Sequence, residues 1–143
     1  MALFSSSKNN ADEIARKERA ARIIVTTCDL NKPYEVLGPV YSQVSNVGLF
    51  SSSFDKLEKE YKQTLESMTD KGLMTQLKIM SSHTWAWQNQ FERAFYLAIE
   101  ELKVRAEFLG ADAVVGMRQD IDLDNDSSAH FYLQMYGTAV KFK

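Results

Sequence analysis

Residues Phe91 to Asp120 read FERAFYLAIEELKVRAEFLGADAVVGMRQD, and this stretch decides the fold. Phe91, Ala94, Phe95, Ala98, Leu102, Ala106 and Leu109 recur at helical spacing and make one continuous apolar stripe, which Trp87 extends towards the N-terminus. Leu97, Val104 and Phe108 form a second set on its flank. A helix that is apolar on more than one side is buried by more than one neighbour. The spacing predicts a helix from about Trp85 to Leu109, stopped by Gly110, the residue that adopts a left-handed cap at least cost. Asp112 to Asp122 then alternates as a strand, with Ala113, Val115, Met117 and Ile121 on one side and Val114, Gly116, Arg118 and Asp120 on the other. Gly116 leaves a gap where another backbone or side chain is expected to pack closely.

Downstream, Asp122 to Ser128 is a polar turn and Ala129 to Phe142 a last strand. Upstream, Arg22 to Cys28 (RIIVTTC) is dense in β-branched residues and reads as a short strand. Asp29 to Pro33 has turn chemistry, and Tyr34 to Val44 is a second strand that Pro39 marks as an edge or a bulge. Five turn residues are too few for a crossover, so these two strands are expected to pair antiparallel. Phe54, Leu57, Tyr61, Leu65 and Met68 predict an amphipathic helix to about Thr69, resumed after Gly72 by Leu73, Leu77 and Met80. Ser81 to Thr84 breaks that pattern and caps the long helix. Residues 1–21 read as an N-terminal arm, helical from Asn10, with Ile14 its one large apolar residue in that helix. Residues 22–143 read as a single α+β domain of β-β-α-α-β-β order, a small antiparallel sheet with helices packed on one face.

At 143 residues the chain suits one domain with a modest core. A 45% hydrophobic and 25% charged composition is that of an ordinary globular protein. The net charge of -2 gives no pull towards nucleic acid or an anionic membrane. In the arm, Lys8, Arg16, Lys17, Arg19 and Arg22 outnumber Asp12, Glu13 and Glu18 by only two, too little for a nucleic-acid arm. One cysteine excludes an intramolecular disulfide and suits a reducing compartment. With neither a secretory signal nor an apolar run long enough to span a bilayer, a cytoplasmic location is expected.

IIVTT near the start, LGADAVVGM after the long helix and YGTAV in the last strand resemble the YbjQ family, small bacterial proteins described as "putative heavy-metal-binding". The likeness runs over Arg22 to Val44 and Phe91 to Lys141, and LGADAVVG is its most specific part. It implies a dodecin-like layer of sheet and helix, assembled into a homo-oligomeric ring of about five subunits. It also implies a metal or small ligand, with a divalent metal ion as the candidate cofactor. The family's glycine-rich basic stretch before the long helix has no counterpart here, where Ser45 to Ser82 is replaced by a helical segment.

Cys28, His83 and His130 are the soft or borderline ligands of the chain. No two stand at the spacing of a recognised metal motif. The structural reading makes Cys28 a small buried residue at a strand end, His130 a half-exposed residue opening the last strand, and His83 a loop or cap residue. The functional reading makes Cys28 and His130 metal ligands, which a symmetric ring could bring together at its axis. Asp120, Asp122, Asp124 and Asp126 imitate the start of a calcium loop. However, Ser127 occupies the glycine position and no glutamate closes the loop, so a solvated hairpin tip is the expectation. Trp85, Trp87, Phe91 and Phe95 make an aromatic cluster that reads as core or interface more readily than as a wall for a planar ligand. No serine elbow or phosphate loop is present, so no catalytic residue is assigned. The chain reads as a non-enzymatic oligomeric binding module, with a ligand-free structural ring or a thiol enzyme using Cys28 as the alternatives.

Overall fold

The computed structural model describes the backbone of residues 3–45, 56, 59–61, 82–123 and 130–143, and the side chains within 10–45, 56, 59–61, 91–123 and 130–143. In chain order the elements are α1 (Leu3–Ala21), β1 (Ile24–Val25), β2 (Tyr34–Ser45), α2 (Ser82–Phe108), β3 (Ala113–Leu123) and β4 (Phe131–Phe142). The fold is α+β, as expected, with a four-stranded sheet in the order β1-β3-β4-β2. The helices expected over 54–80 lie outside the described residues, apart from short helical stretches at 56 and 59–60.

The expected pairing of the first two strands is overturned. β1 pairs parallel with β3, Ile24 opposite Ala113 and Val25 opposite Val114, while β2 lies at the far edge beside β4. Turn length was the wrong criterion, because the two strands are not neighbours and the chain between them crosses the sheet. β1 is also shorter than Arg22 to Cys28, because the regular ladder breaks after Val25 at a bulge in β3, although Thr26 N still donates to Val114 O and Met117 N to Thr26 O. The other strands run antiparallel. Asp112 N donates to Val140 O, whereas Gly137 lies over Val115 and Met117, so β4 retreats as β3 advances. Ser45 Oγ donates to Phe131 O and Lys143 N to Pro33 O, which gives β2 and β4 the same opposed sense. The sheet is therefore mixed.

Two compact units divide the chain, Met1–Ser42 with Ile99–Gln119 and Met135–Lys143, and Gln43–Ala98 with Asp120–Gln134. In the first, Leu102 and Ala106 of α2 and Val114, Met135 and Ala139 of the sheet are buried. A separate cluster of Ala113, Val115 and Val140 carries the half-buried Leu30, Tyr34 and Phe142. By strand alternation this cluster occupies the sheet face opposite Val114 and Ala139, so a loop covers the side that the sequence left bare. In the second unit, Ala94, Leu97 and Ala98 of α2 are buried together with Val44, Phe131 and Leu133. The Phe91 and Phe131 rings stand 5.3 Å apart.

The helix stripe holds from Ala94 to Ala106, with Leu97 inside the core rather than on a flank. It ends earlier than expected, because Leu109 is exposed, and Phe108 of the flank set is exposed as well. The stop is a two-bond cap in which Ala111 N donates to Ala106 O (3.1 Å) and Gly110 N to Glu107 O (2.9 Å), with Gly110 at φ 76°. Gly116 is not a site of close approach. A Cβ there would meet nothing within 4 Å, and its φ of 62° marks a bulge instead. At that bulge Met117 N donates to Thr26 O and Gly116 N to Cys28 O. The close approach is at Gly137, where a Cβ would stand 2.6 Å from Val114 Cγ1 and 3.2 Å from Val115 O.

Candidate functional site

Cys28 sits on the loop that leaves β1, and its thiol is exposed. The buried structural reading of Cys28 is therefore corrected. The backbone explains the exposure. Cys28 N donates to Thr26 Oγ1 (3.1 Å), a local bond that turns the chain out of the strand. Cys28 O accepts from Gly116 N at the β3 bulge (3.4 Å). Thr27 Oγ1 lies 3.8 Å from the sulfur. Downstream, Asp29 Oδ1 accepts from Leu30 N (2.8 Å) and from the Tyr34 hydroxyl (2.5 Å). The far end is held by Lys143 N donating to Pro33 O (3.1 Å), and Lys32 Nζ stands 3.9 Å from the centre of the Phe142 ring. The thiol is thus carried on a loop fastened to β3 at one end and to Lys143, just after β4, at the other.

Hydrogen bonding sets the electrostatics beside it. The Tyr34 hydroxyl, and after it the Leu30 amide, holds the Asp29 carboxyl below the usual carboxylate range. The bond to Asp29, followed by burial and the Asp29 charge, pushes the Tyr34 phenol up. Asp29 was read from sequence as turn chemistry alone. Its pairing with Tyr34 had no spacing signal, because the partner lies across the turn at the start of the next strand.

His130 is half-buried immediately before β4, as expected, and belongs to the other compact unit. The backbone of His83 lies in the first turn of α2 rather than in a loop; its side chain, with those of Trp85 and Trp87, lies outside the described residues. Of the aromatic cluster, Phe91 meets Phe131 and Phe95 meets Tyr96 edge-on at 5.7 Å. Asp120 and Asp122 are exposed on β3, and Asp124 and Asp126 lie outside the described residues. Among the described residues, no three His, Cys, Asp or Glu side chains come together as a metal-holding group. A soft thiol exposed on an anchored loop offers one good ligand per chain, short of the four that a closed zinc site takes. Among the described residues, no helix is long and apolar enough to cross a membrane.

A family model described as "Putative heavy-metal-binding", the YbjQ model, matches residues 62–143. The match takes in α2, β3 and β4 and begins at Lys62, within the segment where the sequence departs from the family's glycine-rich stretch. It leaves out Arg22 to Val44, where a likeness had been expected. A crystal structure from Pediococcus pentosaceus, described as a protein of unknown function of the DUF74 family, is 20% identical. It superposes with a TM-score of 0.52, over 85% of this chain and 98% of that chain, and at this identity the likeness concerns the fold.

Proposed function

This chain belongs to the YbjQ family, whose model takes in more than half of it, and from that premise we propose that it is a homo-oligomeric ring binding a soft heavy-metal ion through Cys28. The observation that carries this reading is the exposed thiol. Thiolate sulfur selects soft and borderline ions, and a closed symmetric ring repeats each surface residue around one axis, so a thiol that faces the axis meets its own copies there. About five copies, as the family resemblance implies, then turn one ligand per chain into a coordination sphere. His130 is the second candidate ligand, repeated in the same way. The ring needs no catalytic residue and works as a binding module.

Metal loading with a Cys28→Ser control tests the proposal. The wild-type chain, equilibrated with Zn²⁺ or Cd²⁺ and desalted, is expected to retain metal at a fixed fraction per chain, and Cys28→Ser to lose it. Retention unchanged by Cys28→Ser moves the site to other ligands, with His130→Ala as the next variant. No metal at any stoichiometry, or a monomer by light scattering at micromolar concentration, overturns the reading. The exposure of Cys28 also keeps a thiol-enzyme reading open; fast alkylation by a thiol reagent that metal loading fails to protect against would favour it.

A further inference from the structure

The described side chains of helix α1 contribute little to the core. Of its described residues, Asn10 to Arg19 are exposed or half-exposed, and Ile14 is 52% exposed. The buried apolar groups, Ala20 and Ile23, lie at its C-terminal end, where Arg22 N donates to Arg19 O and Ile23 N to Ala20 O before β1 begins. Serines and asparagines fill much of its first half, and an isolated helix of this length and composition is marginal in water. Among its described contacts, two of its arginines converge on one carboxylate. Glu107, near the end of α2, has a side chain only 13% exposed and takes an arginine on each oxygen. Arg19 Nε lies 2.8 Å from Oε1 and Arg16 Nε 3.5 Å from Oε2. The Arg16 guanidinium also stands 4.1 Å from the centre of the neighbouring Phe108 ring, which is otherwise 72% exposed.

We propose that α1 is an electrostatic latch: it docks on α2 through Glu107 and Phe108, and it releases from the Ala21–Arg22 hinge while the sheet and α2 stay folded. Two arginines share one carboxylate that is shielded from water, while the arginine side chains themselves are 40% and 56% exposed, so each pair gains from the shielded partner and salt still reaches it from the arginine side. The apolar anchor at the hinge keeps the released helix tethered. Release frees the Glu107 carboxylate beside the already exposed Phe108 ring, a surface suited to an arginine-bearing segment like the one that leaves it.

Hydrogen exchange on the full chain tests this. Raising NaCl from about 0.1 M to about 1 M shortens the screening length from about 10 Å to about 3 Å. Amides of residues 10–19 are expected to exchange several-fold faster, with those of 97–106 and 131–140 unchanged. Glu107→Gln, which keeps shape and removes charge, is expected to give the fast rate already at low salt and to abolish the salt response. The swap Glu107→Arg with Arg19→Glu is expected to restore part of the protection. The latch is overturned if salt leaves residues 10–19 unaffected in the wild type. It is equally overturned if Glu107→Gln leaves them protected, or if salt or the variant speeds exchange in α1, α2 and β4 together. That last pattern makes α1 part of one cooperative fold.

Discussion

Asp29 holds two donors on one oxygen, and this gives the Cys28 loop a pH dependence with two edges. Its folded pKa is depressed, so its contribution is present above the ordinary aspartate value, about 3.9, and is lost as acid protonates it below that. Tyr34 is raised, so its contribution is complete below the ordinary tyrosine value, about 10, and is lost as pH climbs through the folded value. The pair lies at the surface, so the effect belongs to the loop and not to global stability. Removing the hydroxyl with Tyr34→Phe is expected to move the Asp29 carboxyl titration, followed by NMR, up towards the ordinary range. A titration that stays put means the phenol is not its main partner. Two residues away from the helix stop, Asp112 does comparable work for the backbone. Its amide donates to Val140 O (2.9 Å), its Oδ2 accepts from Phe142 N (2.9 Å), and its carbonyl accepts from Ile24 N (3.3 Å), so one residue ties β1, β3 and β4 together. Asp112→Ala removes the side-chain bond and is expected to cost roughly 0.5–1.5 kcal/mol in urea unfolding, with Asp112→Asn recovering part of it. Gly110→Ala forces a side chain into the left-handed region at φ 76° and is expected to cost roughly 1–2 kcal/mol.

At the scale of elements, the tightest fit is between β3 and β4. A methyl group added at Gly137 would meet Val114 Cγ1 at 2.6 Å, and Val114 is fully buried with a stiff χ1. Overpacking of this kind costs roughly 1–3 kcal/mol. Gly137→Ala is therefore expected to destabilise by that amount in denaturant unfolding. Val114→Ala should be destabilising alone, yet combined with Gly137→Ala it should cost less than the sum, because the new methyl fills the vacated space. Strict additivity would mean the two positions do not meet. The sequence points to Gly116 as the site of close approach, whereas the close approach lies at Gly137. A glycine needed for φ and a glycine needed for space look the same in one sequence. The long helix, its stop and the three long strands were legible because each carries a sustained period of 3.6 or 2. β1 was misplaced for the opposite reason. Its run of β-branched residues states a preference for strand, and its pairing partners on β3 lie 89 residues further along, with nothing in the sequence to name them. The candidate site was legible as residues and not as surroundings. Cys28 stood out by being alone, while its exposure depends on the Thr26 hydroxyl and the Gly116 bulge.

For the whole molecule, the proposed ring would have to use the edges that the sheet order leaves. β1 accompanies β3 only over its first residues, so along 118–123 the outer side of β3 has no partner strand among the described residues, and Ile121 and Leu123 are exposed there. β2 is the opposite edge strand and exposes Val36 and Tyr41. Two different edges, both carrying apolar side chains, are what the head-to-tail contact of the proposed ring would require. Arg105 stands 4.6 Å from the centre of the Tyr41 ring, which gives that ring one face already engaged within the chain and leaves Val36 as the more open apolar group on β2. Ile121→Lys with Leu123→Lys places charge on the β3 edge without touching the backbone ladder to β4. Light scattering is expected to show the doubly substituted chain at monomer mass with an unchanged far-ultraviolet circular dichroism spectrum, and metal retention should fall with assembly. A full-mass oligomer that still binds metal would remove the β3 edge from the interface and leave the ring to be built from other surfaces. A monomer that still binds metal would separate the site from the assembly and place all of its ligands within one chain.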